Sequence, residues 1–129
     1  MINEKNSSDN SSAANSHLEG EEKNKEEQRL PFHKPLAAYI VADVKITDPE
    51  QFAEYRKLSI AAFEAHGVKP LAAAGTTERL EGREPGLIVV LPFDSMDAAR
   101  KFYESEEYRK ARSSREGAAI MNILIVEGV

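Results

Sequence analysis

Apolar positions recur in two periods along this chain, and the change from one to the other marks its elements. From Ala37 to Ile46 they alternate, with Ala38, Ile40, Ala42, Val44 and Ile46 on one side of an extended strand. Tyr39, Val41, Asp43 and Lys45 fall on the other side, so one face is wholly apolar and the second is apolar, then polar. From Phe52 the period becomes helical: Phe52, Tyr55, Ser59, Ala62 and Phe63 form one stripe, while Glu50, Glu54, Arg56 and Lys57 point elsewhere. The switch falls at Thr47-Asp48-Pro49. Asp48 suits an N-cap, Pro49 suits the first helical position where its missing N–H costs nothing, and Gln51 stands where it would complete a capping box. Gly67 supplies the left-handed residue that ends the helix.

The pattern then repeats with one extra strand. Lys69 to Leu80 reads as a second strand, weak in Ala72-Ala73-Ala74-Gly75 and helped by Thr76 and Thr77. Glu81 to Gly86 is a turn cluster, and Leu87 to Leu91 is a continuous apolar strand of the kind found at a sheet centre, expected to form a hairpin with the second. Asp94-Ser95 opens a helix with Met96, Ala99, Phe102 and Tyr103 on its buried stripe. Ser105-Glu106-Glu107 opens a short third helix that runs to about Arg115, Gly117 breaks it, and Ala119 to Val126 is a last strand, apolar on both faces.

The order strand, helix, strand, strand, helix, strand predicts an α+β, ferredoxin-like βαββαβ sandwich: a four-stranded sheet of antiparallel type with helices on one face. Right-handed crossovers are expected to set strands one and three side by side and parallel, with strand four beside strand one and strand two beside strand three. The helices can cover only one face of such a sheet. Strands three and four and half of strand one are apolar on the other face too, and a patch of that size on a soluble protein calls for a partner. A homodimer packed through the open sheet face, closing a dimeric α+β barrel, is the expected assembly.

Residues 1–35 differ in kind from the rest. Between Asn3 and Lys34 the large apolar side chains are Leu18, Leu30 and Phe32, too few to offset the entropy of ordering the segment, so a disordered polar tail is expected before a domain over residues 36–129. With 129 residues in all, one core is what the length allows. The net charge of -5 argues against a face that neutralises phosphates, so no nucleic-acid partner is expected. Without cysteine there is no disulfide, thiolate nucleophile or cysteine metal site. The N-terminus carries no signal-like apolar core and no run approaches a membrane span, which makes the cytoplasm the default location and a membrane an unexpected partner.

From Ala37 to Val129 the chain resembles an uncharacterised family, the domains of unknown function numbered 1330, within the dimeric α+β barrel superfamily. The likeness is carried by Tyr39, Thr47-Asp48-Pro49, Tyr55, Leu80-Glu81-Gly82, Phe93-Asp94-Ser95, Ala99, Phe102-Tyr103-Glu104-Ser105, Tyr108 and Val126-Glu127-Gly128. It implies a dimeric barrel and a cleft between sheet and helices. It implies no reaction, since the superfamily holds monooxygenases, isomerases and proteins without known activity.

Few residues offer chemistry. Asp43 stands among apolar neighbours near the expected position of Asn122, and as a carboxylate in a dry cleft it would suit a general base; otherwise it is a hydrated or hydrogen-bonded strand-end residue. His66 suits a general acid or base at neutral pH, or a cation placed against the carbonyls that end its helix. These two are the candidate catalytic residues. Tyr39, Tyr55, Tyr103 and Asn122 are the candidate ligand-binding residues, with core packing as the competing role for Tyr55, Tyr103 and Tyr108. No metal site and no cofactor are expected, because His66 has no second histidine at helical spacing and no phosphate loop, nucleophile elbow or dinucleotide fingerprint occurs. Arg109, Lys110, Arg112 and Arg115 form a basic cluster suited to a solvated helix end. The reading that follows is a small-molecule-binding protein holding a small organic ligand, with a cofactor-free isomerase or monooxygenase as the alternative.

Overall fold

A computed structural model of the protein describes residues 36–129. The tail expected over residues 1–35 lies outside the described residues. The elements follow in the order β1 (Ala38–Ile46), α1 (Pro49–Ala65), β2 (Ala72–Ala73), β3 (Leu87–Phe93), α2 (Met96–Tyr103), α3 (Glu106–Ser114) and β4 (Ala119–Glu127). They build one sheet in the order β2-β3-β1-β4, the ferredoxin-like arrangement.

Every pairing in that sheet is antiparallel, including β1 with β3, where Ile40 stands opposite Leu91 and Ala42 opposite Val89. The expected parallel pairing of strands one and three is therefore corrected. The chain enters β2 in the same direction as β1 after the α1 crossover, and the reversal into β3 turns it back alongside β1. The second strand is also far shorter than expected, Ala72–Ala73 in place of Lys69 to Leu80. Ala74 takes a positive φ of 63°, which turns the chain out of the pleat, and the alanines before it offer no branched side chain to pack along a strand. Residues 74–86 instead form an exposed arm, pinned where the Ala74 N–H donates to the Ile88 carbonyl (2.9 Å) and the Gly86 N–H donates to Asp43 Oδ1 (2.9 Å).

Helix ends follow the sequence closely. Asp48, Ser95 and Ser105 each accept a hydrogen bond from the backbone N–H three residues on, at 3.2, 3.0 and 3.2 Å. Gln51 does not close the expected capping box. Its amide donates instead to the carbonyls of Ser114 (3.1 Å) and Glu116 (2.6 Å), tying the start of α1 to the end of α3. Gly67, at φ 66°, ends α1 as expected: its N–H donates to the Glu64 carbonyl and that of Val68 to Phe63, so two carbonyls at the end of the helix are satisfied.

The core lies between the sheet and the helices. Ala38, Ile40, Ala42 and Val44 of β1 are buried on that side, and Phe102 of α2 gathers Phe63, Phe93 and Tyr108 around it at ring separations of 5.9, 5.5 and 5.0 Å. The opposite face is open in this chain. Tyr39, Val41 and Asp43 alternate there with Lys45, and register sets Val90 and Leu124 beside Val41. Ile120, Leu124 and Val126 of β4 stand exposed along it.

Candidate functional site

Helix α1 packs chiefly on α3 rather than flat on the sheet. Three cross-helix contacts hold the pair: Gln51 at one end, Tyr55 with Tyr108 in the middle, and His66 with Glu107 at the other. This leaves a cavity of about 230 Å³ between α1 and the sheet. Its walls are apolar, with Ile40, Val44, Val89 and Leu91 from the sheet facing Phe52 and Phe63 from α1. Half-exposed Ile60 marks its outer side, together with Ala73 and Ala74.

Polar groups at this cavity are few and come from α1 and α3. The Tyr55 and Tyr108 hydroxyls are hydrogen-bonded at 2.6 Å, with both residues buried. Arg115 donates from Nη1 to the Tyr108 hydroxyl (3.3 Å) and lays its guanidinium over the Tyr55 ring at 5.0 Å. Burial pushes the Tyr55 phenol well above its ordinary pKa, and the neighbouring Tyr108 adds to the rise, so Tyr55 is neutral throughout the physiological range. Ser59 spends its hydroxyl on the Arg56 carbonyl (3.0 Å), a local bond within the helix. The Arg56 guanidinium lines the cavity and lies over the Phe52 ring at 5.4 Å.

Of the residues singled out from sequence, Tyr55 lines this cavity. Asp43, Tyr39 and Asn122 belong to the opposite face of the sheet, where Asp43 and Asn122 are direct cross-strand partners as expected. Asp43 uses Oδ1 to hold the Gly86 backbone. Tyr39 packs near Gly128, whose N–H donates to the Ala37 carbonyl (2.6 Å). Tyr103 supports Arg112, whose guanidinium stacks over its ring at 4.1 Å. His66 lies on the helix surface, its Nε2 2.8 Å from Glu107 Oε1 and its ring edge-on to Phe102. The two catalytic candidates are thus not brought together, and neither lines the cavity.

The hydrogen bond from His66 holds the Glu107 carboxyl below its ordinary pKa. A depressed value in the folded state means a contribution present above the ordinary carboxylate range and lost as pH falls through the folded value. The melting temperature is therefore expected to fall more steeply on acidification for this chain than for Glu107→Gln, read from melting curves between neutral pH and the acid limb.

Arg56, which the helical stripe set elsewhere, lines the cavity, as does Tyr108, for which packing was the expected role; Arg115 stands behind Tyr108 in the neighbouring groove. Tyr108 and Arg115 are seven residues apart, two helical turns, which sets them on one side of α3. The contact with Tyr55 depends on how α1 and α3 cross. Arg109, Arg112 and Arg115 line a second, open groove beyond Met121, a residue common to both sites. No group of three His, Asp or Glu able to hold a metal occurs among the described residues, and no helix among them is long and apolar enough to cross a membrane.

A four-stranded antiparallel sheet with helices on one face, and a cleft between the two layers, defines a ferredoxin-like α+β protein. More narrowly, the chain belongs to the family described as Domain of unknown function (DUF1330), whose model matches residues 37–129. No curated protein matches it. Among solved structures it is similar to a protein of unknown function from Rhodopseudomonas palustris, at 16% identity and a TM-score of 0.60 over 92% of this chain and 95% of that one. It is also similar to a dimeric protein of unknown function with a ferredoxin-like fold from Bacteroides fragilis, at 13% identity and a TM-score of 0.50, over 74% of this chain and 100% of that one. A third is SnoaB, a cofactor-independent oxygenase from Streptomyces nogalater, at 10% identity and a TM-score of 0.50, over 73% of this chain and 94% of that one.

Proposed function

We propose that this protein is a homodimeric small-molecule-binding protein of the cytoplasm, which holds a small organic ligand in the cavity between α1 and the sheet. The observation that carries this reading is the cavity itself: apolar walls, a few polar groups, and a volume of about 230 Å³. That volume suits a compact molecule, since drug-sized ligands occupy roughly 300–1,000 Å³. The dimer is supported by the open apolar face of the sheet and by likeness to a dimeric protein of the same fold.

Native mass spectrometry of the protein purified from its own host tests both parts. A dimer carrying a reproducible extra mass of small-molecule size is expected. A monomer at micromolar concentration overturns the assembly, and failure of the cavity to take any apolar probe overturns the binding reading.

The second reading is a cofactor-free isomerase or monooxygenase in which Asp43 or His66 moves a proton, and likeness to a cofactor-independent oxygenase gives it support. It predicts a turnover with a bell-shaped pH dependence that disappears in Asp43→Asn or His66→Gln. The binding reading predicts that cavity occupancy survives both changes, because neither side chain lines the cavity.

A further inference from the structure

The two phenols at the cavity have more donors than the protein uses. Tyr55 and Tyr108 bring two O–H protons, and their mutual 2.6 Å contact consumes one of them. Arg115 supplies its own proton to Tyr108, so that contact consumes an acceptor site and no phenol proton. Among the described residues, no further oxygen or nitrogen accepts from either hydroxyl, although Tyr55 and Tyr108 are only 8% and 5% exposed. The pair has one O–H more than its mutual bond uses, and because both residues line the cavity a ligand oxygen there could accept it.

The arginine decides which phenol that is. A guanidinium donating into the Tyr108 oxygen polarises Tyr108 and makes it the better donor of the two, so protons run in one direction: Arg115 to Tyr108, Tyr108 to Tyr55. The last proton belongs to Tyr55. Its phenol also stays neutral, and so stays able to donate, because burial opposes its ionisation. Met121 is shared between the cavity and the arginine groove that Arg115 lines, while Ile60 and Ala73 also line the cavity.

We propose that the Tyr55 hydroxyl is a hydrogen-bond donor to a carbonyl or enolate oxygen of the ligand, with Tyr108 and Arg115 as positioning residues behind it. The ligand class is accordingly a compact apolar ketone, aldehyde or enol, with its oxygen turned toward α3 and its hydrocarbon body between Phe52, Phe63, Val89 and Leu91. This rests on the reading of the cavity as a ligand site.

A matched pair of probes separates the two ideas. 1-Tetralone carries a carbonyl oxygen and tetralin, of nearly the same shape, carries none; binding of each is measured by NMR titration to the full-length protein and to Tyr55→Phe. The ratio of tetralone to tetralin affinity is expected to drop by about tenfold in Tyr55→Phe, the worth of one hydrogen bond. The infrared carbonyl stretch of bound tetralone is expected to lie at lower frequency in the unaltered protein than in Tyr55→Phe, and to move part of the way back in Arg115→Met. If tetralin binds and the ratio is the same in both proteins, the donor assignment is overturned and the cavity reading stands. If neither probe binds, the cavity reading fails and the donor with it. A carbonyl shift that persists in Tyr55→Phe and vanishes in Tyr108→Phe reverses the direction of the proton chain and overturns the assignment to Tyr55.

Discussion

Gly86→Ala is expected to destabilise the fold by about 3 kcal/mol, at the upper end of what adding one carbon to a packed site costs. For a domain of this size that is a fall of roughly 10–20 °C in melting temperature. The position is tight for a definite reason. Gly86 is the residue at which the exposed arm re-enters the sheet, directly ahead of Leu87, which pairs with Val44 on the central strand β1. A Cβ there would run into the Val44 carbonyl oxygen, with the Val44 carbonyl carbon and Asp43 Oδ1 each at 2.7 Å. Two of these are backbone atoms of a strand hydrogen-bonded on both sides, so they cannot yield as a surface side chain would. Gly75→Ala at the other end of the arm is the control, since a Cβ there meets nothing within 4 Å and no positive φ is required. Thermal melts of the two variants beside the unaltered protein read the difference. Equal melting temperatures for both variants would mean that the arm does not enter the sheet against Val44.

The same residue gives Asp43 a structural role. Its Oδ1 accepts from the Gly86 N–H, which fixes the arm to β1 where no strand pairing extends. From the sequence, Asp43 was a carboxylate among apolar neighbours, and the position of its cross-strand partner Asn122 was legible because β1 and β4 are long and strictly alternating. The glycine opposite was not legible. It belongs to a turn cluster forty-three positions away, and nothing in local periodicity says which strand an arm returns against. Helix starts were readable for the opposite reason: Asp48, Ser95 and Ser105 act on N–H groups three residues on, within reach of any local reading. Gln51 closes no capping box because the Asp48 N–H it would accept from donates to the distant Ala118 carbonyl (3.1 Å), and its own Nε2 donates to the equally distant Ser114 and Glu116 carbonyls. The cavity follows the same rule. The stripe containing Phe52, Tyr55 and Phe63 is plain in the sequence, but that it stands off the sheet depends on α1 leaning on α3. That lean is fixed by long-range contacts of Gln51, Tyr55 and His66.

Leu124→Lys is expected to convert the proposed dimer to a monomer without unfolding it. Leu124 lies on the open side of β4, 54% exposed in the single chain and opposite Val41, while its neighbours Ile123 and Ile125 point toward the helices and carry the packing there. A lysine in its place meets water in a monomer and costs the fold little. In a dimer packed face to face it would be desolvated between apolar strands, with Asp43, already bonded to the Gly86 N–H, as the nearest carboxylate, and a two-fold axis places the defect there twice. Taking an ammonium out of water costs about 3 kcal/mol or more, so the dissociation constant is expected to rise at least about 100-fold, visible as a halved mass in sedimentation velocity at micromolar protein. Edge-to-edge pairing of two β4 strands would also bury apolar surface, and Ile88 tells the two arrangements apart. It lies on β3, on the same open face and opposite Asp43, but separated from the β4 edge by the whole of β1. Ile88→Lys is expected to dissociate a face-to-face dimer as Leu124→Lys does, and to leave an edge-paired dimer intact. Tetralin binding retained in both monomeric variants would further show that the cavity on the helix side of the sheet is complete within one chain, because no residue of the open face lines it.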